Sequence, residues 1–130
     1  MTHSQIYAAL VAHLKTLSPL PPVAEENSDF EPNTNQMFIY AKHVPQISDA
    51  KTVKGSGHKY LQGLISLQVY APRGSGLTGL DALSSALMSH FPVGLTIGDI
   101  KIRQVKEVGN IEAETWTYRP IDISYSVVTD

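Results

Sequence analysis

The chain has 130 residues, ten basic and twelve acidic side chains, a formal net charge of −2 and no cysteine. That length fits one domain of ordinary size, able to bury roughly two-thirds of the surface its unfolded chain exposes, and the lack of cysteine excludes both a disulfide framework and a thiolate metal site. The near-neutral charge argues against a nucleic-acid binder, which is normally clearly basic, and no stretch approaches the ~18 apolar residues that a membrane span requires.

In chain order, the first element is a helix. Thr2-x-x-Gln5 forms a capping-box pattern, and Ile6, Leu10, Leu14 and Leu17 follow at helical spacing with Ala9 on the same side, until Pro19, Pro21 and Pro22 stop it. Met1-Thr2-His3-Ser4-Gln5 holds no lysine or arginine and leads into no long apolar run, so no secretory signal is expected there. Residues 23–27 read as a short strand beside the prolines. Residues 37–44, rich in β-branched and aromatic side chains, read as a longer one.

Residues 45–58 read as a loop of glycine, serine and lysine, expected to be disordered in the free subunit and to order on docking. Residues 60–70 then alternate, with Leu61, Gly63, Ile65, Leu67 and Val69 on one face and Gln62, Ser66 and Gln68 on the other, as in a half-buried antiparallel strand. Thr78-x-x-Asp81 reads as a second capping box. The helix it opens carries an apolar stripe of Leu80, Leu83, Leu87 and Phe91 and ends at Pro92 and Gly94.

Residues 100–105 and 121–127 alternate as strands. Trp116 and Tyr118 fall on a strand expected to bend at Pro120, since proline cannot donate to a ladder and belongs at an edge or bulge. Residues 121–127 are expected to form an outer strand whose edge another subunit can use. Runs of strands between two helices indicate an α+β fold over residues 1–130, a single domain with one mainly antiparallel sheet and both helices packed on one face.

The motif with the sharpest chemical look is Gly74-Ser-Gly76-Leu-Thr-Gly79, a G-x-G-x-x-G with Asp99 twenty residues beyond its last glycine. The strand before it alternates, whereas the first strand of a dinucleotide fold is buried on both faces and continuously apolar. Pro72 and Arg73 loosen the turn, and the remaining residues show no second crossover helix. The glycines therefore read as a flexible loop and no cofactor is expected.

His3, His13, His43, His58 and His90 show no metal-ligand spacing; His13 reads as a half-buried helix histidine and His58 as a solvated loop residue. Glu25 and Glu26 point to opposite faces of a strand, while Glu112 and Glu114 share one; both pairs read as solvated carboxylates or subunit contacts. No nucleophile elbow is present, so no hydrolase, transferase or redox activity is expected. Charged residues make up 17% of the chain against about 25% in typical soluble domains, a sign that other subunits cover part of the surface.

Several segments together resemble the tail-terminator-like proteins of long-tailed phages over nearly the whole length. These are Ala24-Glu-Glu26-Asn27-x-x-Phe30-x-Pro32 after the first helix, the central run Gly63-Leu-Ile-Ser-Leu-Gln-Val69-Tyr-Ala-Pro72, His90-Phe91-Pro92 at the end of the second helix, and Trp116-x-Tyr118-x-Pro120-Ile-x-Ile123-x-Tyr125 near the carboxyl end. The 45–58 loop and the Gly109-Asn110 turn fall outside the match.

The resemblance implies a virion structural protein, not an enzyme. It would form a ring, a hexamer, that caps the tail tube, ends tail polymerisation and offers a head-joining surface. Its implied partners are further copies of itself, the major tail tube protein and the head connector protein, with no membrane and no specific nucleic acid. The implied location is the virion tail or neck, and the host cytoplasm during assembly. Lys51, Lys54 and Lys59 give the long loop a positive bias suited to an acidic patch on the tube or a neighbouring subunit. With His58 and Arg73 they are the residues assigned to partner contact. A head-completion or connector protein is the alternative within the same class, and a small-ligand domain using residues 74–79 is the alternative outside it.

Overall fold

A computed structural model of the chain describes residues 2–26, 30–32, 35–46 and 59–129. Its elements are α1 (His3–Leu14), β1 (Val23–Glu25), β2 (Phe38–Gln46), β3 (Lys59–Pro72), α2 (Thr78–His90), β4 (Thr96–Ile97), β5 (Ile100–Glu107), β6 (Ile111–Glu112) and β7 (Trp116–Thr129). The strands form one mixed sheet in the order β1-β2-β3-β7-β5-β4, with β6 alongside β7.

The helix starts differ in their chemistry. At α1 the capping box forms as read from the sequence: the Gln5 backbone N–H donates to Thr2 Oγ1 at 3.2 Å, and the Thr2 N–H donates to Gln5 Oε1 at 2.8 Å. Ile6, Leu10 and Leu14 are fully buried. At α2 the expected capping box does not form. Leu77 holds the cap position with no side-chain bond, and Thr78 is already helical. The Asp81 carboxylate that would have closed the box lies 2.7 Å from Arg119 Nη1 instead; a charge-assisted bond to a guanidinium outweighs a neutral local cap.

The sheet is organised by β3 and β7, which pair antiparallel along their full length, from Lys59↔Thr129 to Pro72↔Trp116. Residues directly opposite share a face, so Ile65 and Ile123, and Leu67 and Ile121, stand side by side. Next to them are Ile39 and Ala41 of β2 and Ile100 and Ile102 of β5. All of these are buried in one cluster to which α1 and α2 also contribute.

One expectation is overturned, and two others gain detail. Residues 121–127 are not an outer strand: β7 lies between β3 and β5, because its alternating apolar face is buried best with a neighbour on each side. The sheet is mainly antiparallel but mixed, since among the described strands β1 pairs parallel to β2; residues 26–37 make a connection long enough to bring the chain back to the same end of the sheet. β7 runs through Pro120: the pairing of β5 with β7 ends at Ile121 and that of β6 begins at Tyr118, so the proline lies at a local edge between them, where no N–H is demanded.

Pro45, expected to begin the long loop, belongs to β2 opposite Gly63. Its missing N–H is tolerated there because β1 reaches only to Ala41 and β2 is an edge beyond that point. The remainder of that loop, residues 47–58, lies outside the described residues, and with it the expectation that it orders on docking. The glycine motif is a turn: Gly74 and Gly76 have φ of +88° and +85° in open space, after a strand that is antiparallel on both sides.

Gly63 is dictated by packing. A Cβ there would stand 2.5 Å from the Tyr125 hydroxyl and 3.0 Å from the Val44 carbonyl oxygen. We expect Gly63→Ala to destabilise the chain by about 1–3 kcal/mol. The check is a lowered urea midpoint with an unchanged denaturant slope, partly restored when Tyr125→Phe removes the clashing oxygen.

Candidate functional site

Three polar clusters tie the helices to the sheet. The first joins the two helix ends. His13 Nε2 donates to the His90 carbonyl at 2.8 Å, and His90 Nε2 donates to the His13 carbonyl at 2.7 Å. The two imidazoles stack at 4.2 Å with Phe91 edge-on to both, and the Thr16 hydroxyl donates to the His13 carbonyl at 2.6 Å. Terminal helix carbonyls have no partner of their own, so each helix caps the other. The reading of His13 as a structural histidine holds, but its partner 77 residues away carries no sequence signal.

The second cluster lines a cleft of about 330 Å³ formed by His3, Ser4, Tyr7, Glu26 and His43. His43 Nε2 and the Tyr125 hydroxyl share a hydrogen bond of 2.6 Å. Glu26 accepts the His43 backbone N–H at 2.7 Å, and the Tyr7 hydroxyl donates to Glu25 at 3.1 Å. Burial pushes the Tyr125 phenol up to about 12 and also raises that of Tyr7, where the bond to Glu25 adds to the effect. Burial lowers His43 below its ordinary value, helped by His3 and opposed by Glu26. His43 and Tyr125, Glu26 and the His43 N–H, and Tyr7 and Glu25 are committed to one another; among the described residues His3 Nδ1 is buried with no hydrogen-bond partner, and the Ser4 beside it has no base bonded to it. Nor do the described residues contain a cluster of three or more histidines and carboxylates able to hold a metal ion.

The third cluster centres on Arg119, 8% exposed. Its Nη1 lies 2.7 Å from Asp81 on α2 and 3.4 Å from Glu107 on β5, and its Nε donates to Asn110 at 2.7 Å. One guanidinium thus fastens the start of α2 to β5, β7 and the 108–110 turn. Nothing in the sequence singles out Arg119: its neighbours Asp81, Glu107 and Asn110 are scattered along the chain, and only the packing of α2 together with the register of β5 against β7 collects them.

An apolar depression of about 510 Å³ separates the 17–21 segment from α2, lined by Leu17, Leu20, Met37, Ala82, Leu83 and Ala86 among others. Of the residues assigned to partner contact, Arg73 is exposed in the turn after β3 and Lys59 is the first residue of β3. Lys51, Lys54 and His58 lie outside the described residues. Among the described residues no helix is long and apolar enough to cross a membrane.

A family model described as phage tail terminator protein matches residues 5–125. A solved structure superposes with a TM-score of 0.74 at 24% identity, covering 98% of this chain and 96% of that one; at such identity the likeness is one of fold. None of the curated proteins matches.

Two outcomes follow from the clusters. Arg119→Met should lower stability by about 1–2 kcal/mol in urea denaturation, a modest effect because Asp81 and Glu107 remain in contact with water. His43 should give stability a pH dependence. Its folded-state pKa lies below the unfolded value of 6.5, so as pH falls below that value the unfolded chain takes up the proton first and stability drops until the folded pKa is passed. Thermal melts of His43→Gln between pH 7 and pH 5 should show a shallower decline than the parent; an identical decline would assign the dependence to other groups.

Proposed function

The chain belongs to the phage tail terminator family, and from that premise we propose that it is a virion structural protein that forms a ring, a hexamer, on the end of the tail tube. The ring ends tail polymerisation and presents the surface to which the head connector joins. The single observation that carries this reading is the family match over residues 5–125. The α+β core agrees with it, since the helices seal the apolar side of the sheet and leave its strand edges to other subunits.

In this reading the protein acts by contact and not by catalysis. Tyr7, His13, His43, His90, Tyr125 and Arg119 are held by bonds within the fold and serve to fix its shape. The partners are the tube protein, the connector protein and further copies of this chain, with assembly in the host cytoplasm and residence in the virion tail. Lys51, Lys54 and Lys59 supply positive charge toward an acidic surface of the tube or of a neighbour, and His58 and Arg73 join them in that contact.

A ring closed by repeated head-to-tail contacts, with modest affinity per contact, should be concentration-dependent in isolation and complete at the tail end. Negative-stain microscopy of tails assembled with and without the protein provides the check. With it, tails should be of uniform length and end in a ring. Tails of uniform length and normal head attachment in its absence would refute the reading.

A further inference from the structure

The sheet ends in two open edges of different character. Among the described residues β1 pairs only with β2, and no strand pairs with it on its outer side. At the other end β4 covers β5 only at Ile100 and Lys101, and the 94–95 segment bonds Ile102. From Arg103 to Glu107 no strand of the described residues pairs with β5 on the side away from β7. Unpaired strand edges are templates for another chain, and proteins that must avoid this keep them charged.

The charges on these two edges have opposite sign. Along the open stretch of β5 the exposed cations are Arg103, whose Nε donates to Ser126 on β7 at 2.6 Å, and Lys106, directly opposite Asp122 of β7, preceded by Lys101; the other nearby acids are Glu107, engaged by Arg119, and Asp99 in the turn before the strand. At the β1 edge stand Glu25, which Tyr7 and Lys15 approach, Glu26, exposed but accepting the His43 N–H, and the exposed Glu31 in the segment beyond. The imbalance extends over the sheet. On the face opposite the core, the register of β2, β3, β7 and β5 places Lys42, Lys101 and Lys106 with a single carboxylate, Asp122, and the bulged Arg103 joins them through its bond to Ser126.

Charges that served only to keep edges apart would do so equally well with one sign on both. Opposite signs repel like edges and attract unlike ones, which disfavours a two-fold dimer and favours a polar, head-to-tail contact. We infer that the basic β5 edge of one copy docks against the acidic β1 edge of the next, extending the sheet from subunit to subunit. This inference rests on the ring reading and assigns the ring its interface.

The test is a charge swap in the full-length chain. R103E/K106E makes both edges acidic, and E26Q/E31K weakens the acidic edge while keeping an acceptor for the His43 N–H. Circular dichroism melts establish that each variant folds; if E26Q/E31K does not, E31K alone takes its place. Sedimentation should show wild-type association that weakens from about 50 mM to about 500 mM salt, as screening of exposed charges requires.

Each variant alone should associate about tenfold or more weakly than wild type, and an equimolar mixture should recover assembly, because every contact in an alternating ring is then complementary. Variants that assemble as well as wild type, or a mixture no better than its components, would overturn the edge contact while leaving the ring intact. A wild-type chain that stays monomeric at every concentration and forms no ring on tails would overturn both.

Discussion

The pairing of β3 with β7 is the constraint from which the rest of the molecule takes its arrangement. Each is a fourteen-residue strand, and the two run side by side without a break in register. A shift by one residue would turn Ile65, Leu67, Ile121 and Ile123 to the opposite face and expose the whole apolar set. With that register fixed, β2 and β5 have one place each to add, and the helices have one apolar surface to cover. Gly63 belongs to the same constraint, since the Tyr125 ring occupies the space in which any side chain at that position would stand.

The face of the sheet away from the core has its own order. Phe38, Tyr70 and Tyr118 occupy one register row across β2, β3 and β7, and the rings stack at 4.7 Å in succession, with Trp116 edge-on to Phe38 and Tyr70. Ring faces used on one another are not available to a stacked ligand, so this row stiffens one end of the sheet. Toward the other end the same face turns to serine, glutamine and lysine. A rigid sheet with a sealed apolar side and charged, open edges suits a part that works by repeated contact with copies and partners.

The buried and half-buried polar clusters support the same view. Arg119, the His13–His90 pair and the His43–Tyr125 pair each bridge elements that no apolar contact orients uniquely. Apolar packing is non-directional, whereas a guanidinium between Asp81, Glu107 and Asn110 admits one placement of α2 over the sheet. These side chains could be mistaken for reactive ones from their composition, but their hydrogen bonds are all directed inward to the fold.

Sequence by itself determined the local elements: the Thr2–Gln5 cap, both helical stripes, the alternation of β3 and the family to which the chain belongs. Each is a matter of periodicity or short spacing, and a period of two or of 3.6 states which side of an element is apolar. It does not state which element lies opposite. Tertiary structure alone decided that β7 sits inside the sheet, that β1 joins in parallel, and that Pro120 falls into a gap between β5 and β6. It also decided that Asp81 leaves its expected cap for Arg119, 38 residues further along the chain, and that His13 meets His90. These are contacts between residues distant in sequence, selected by competition among many possible partners for the same apolar area and the same charge.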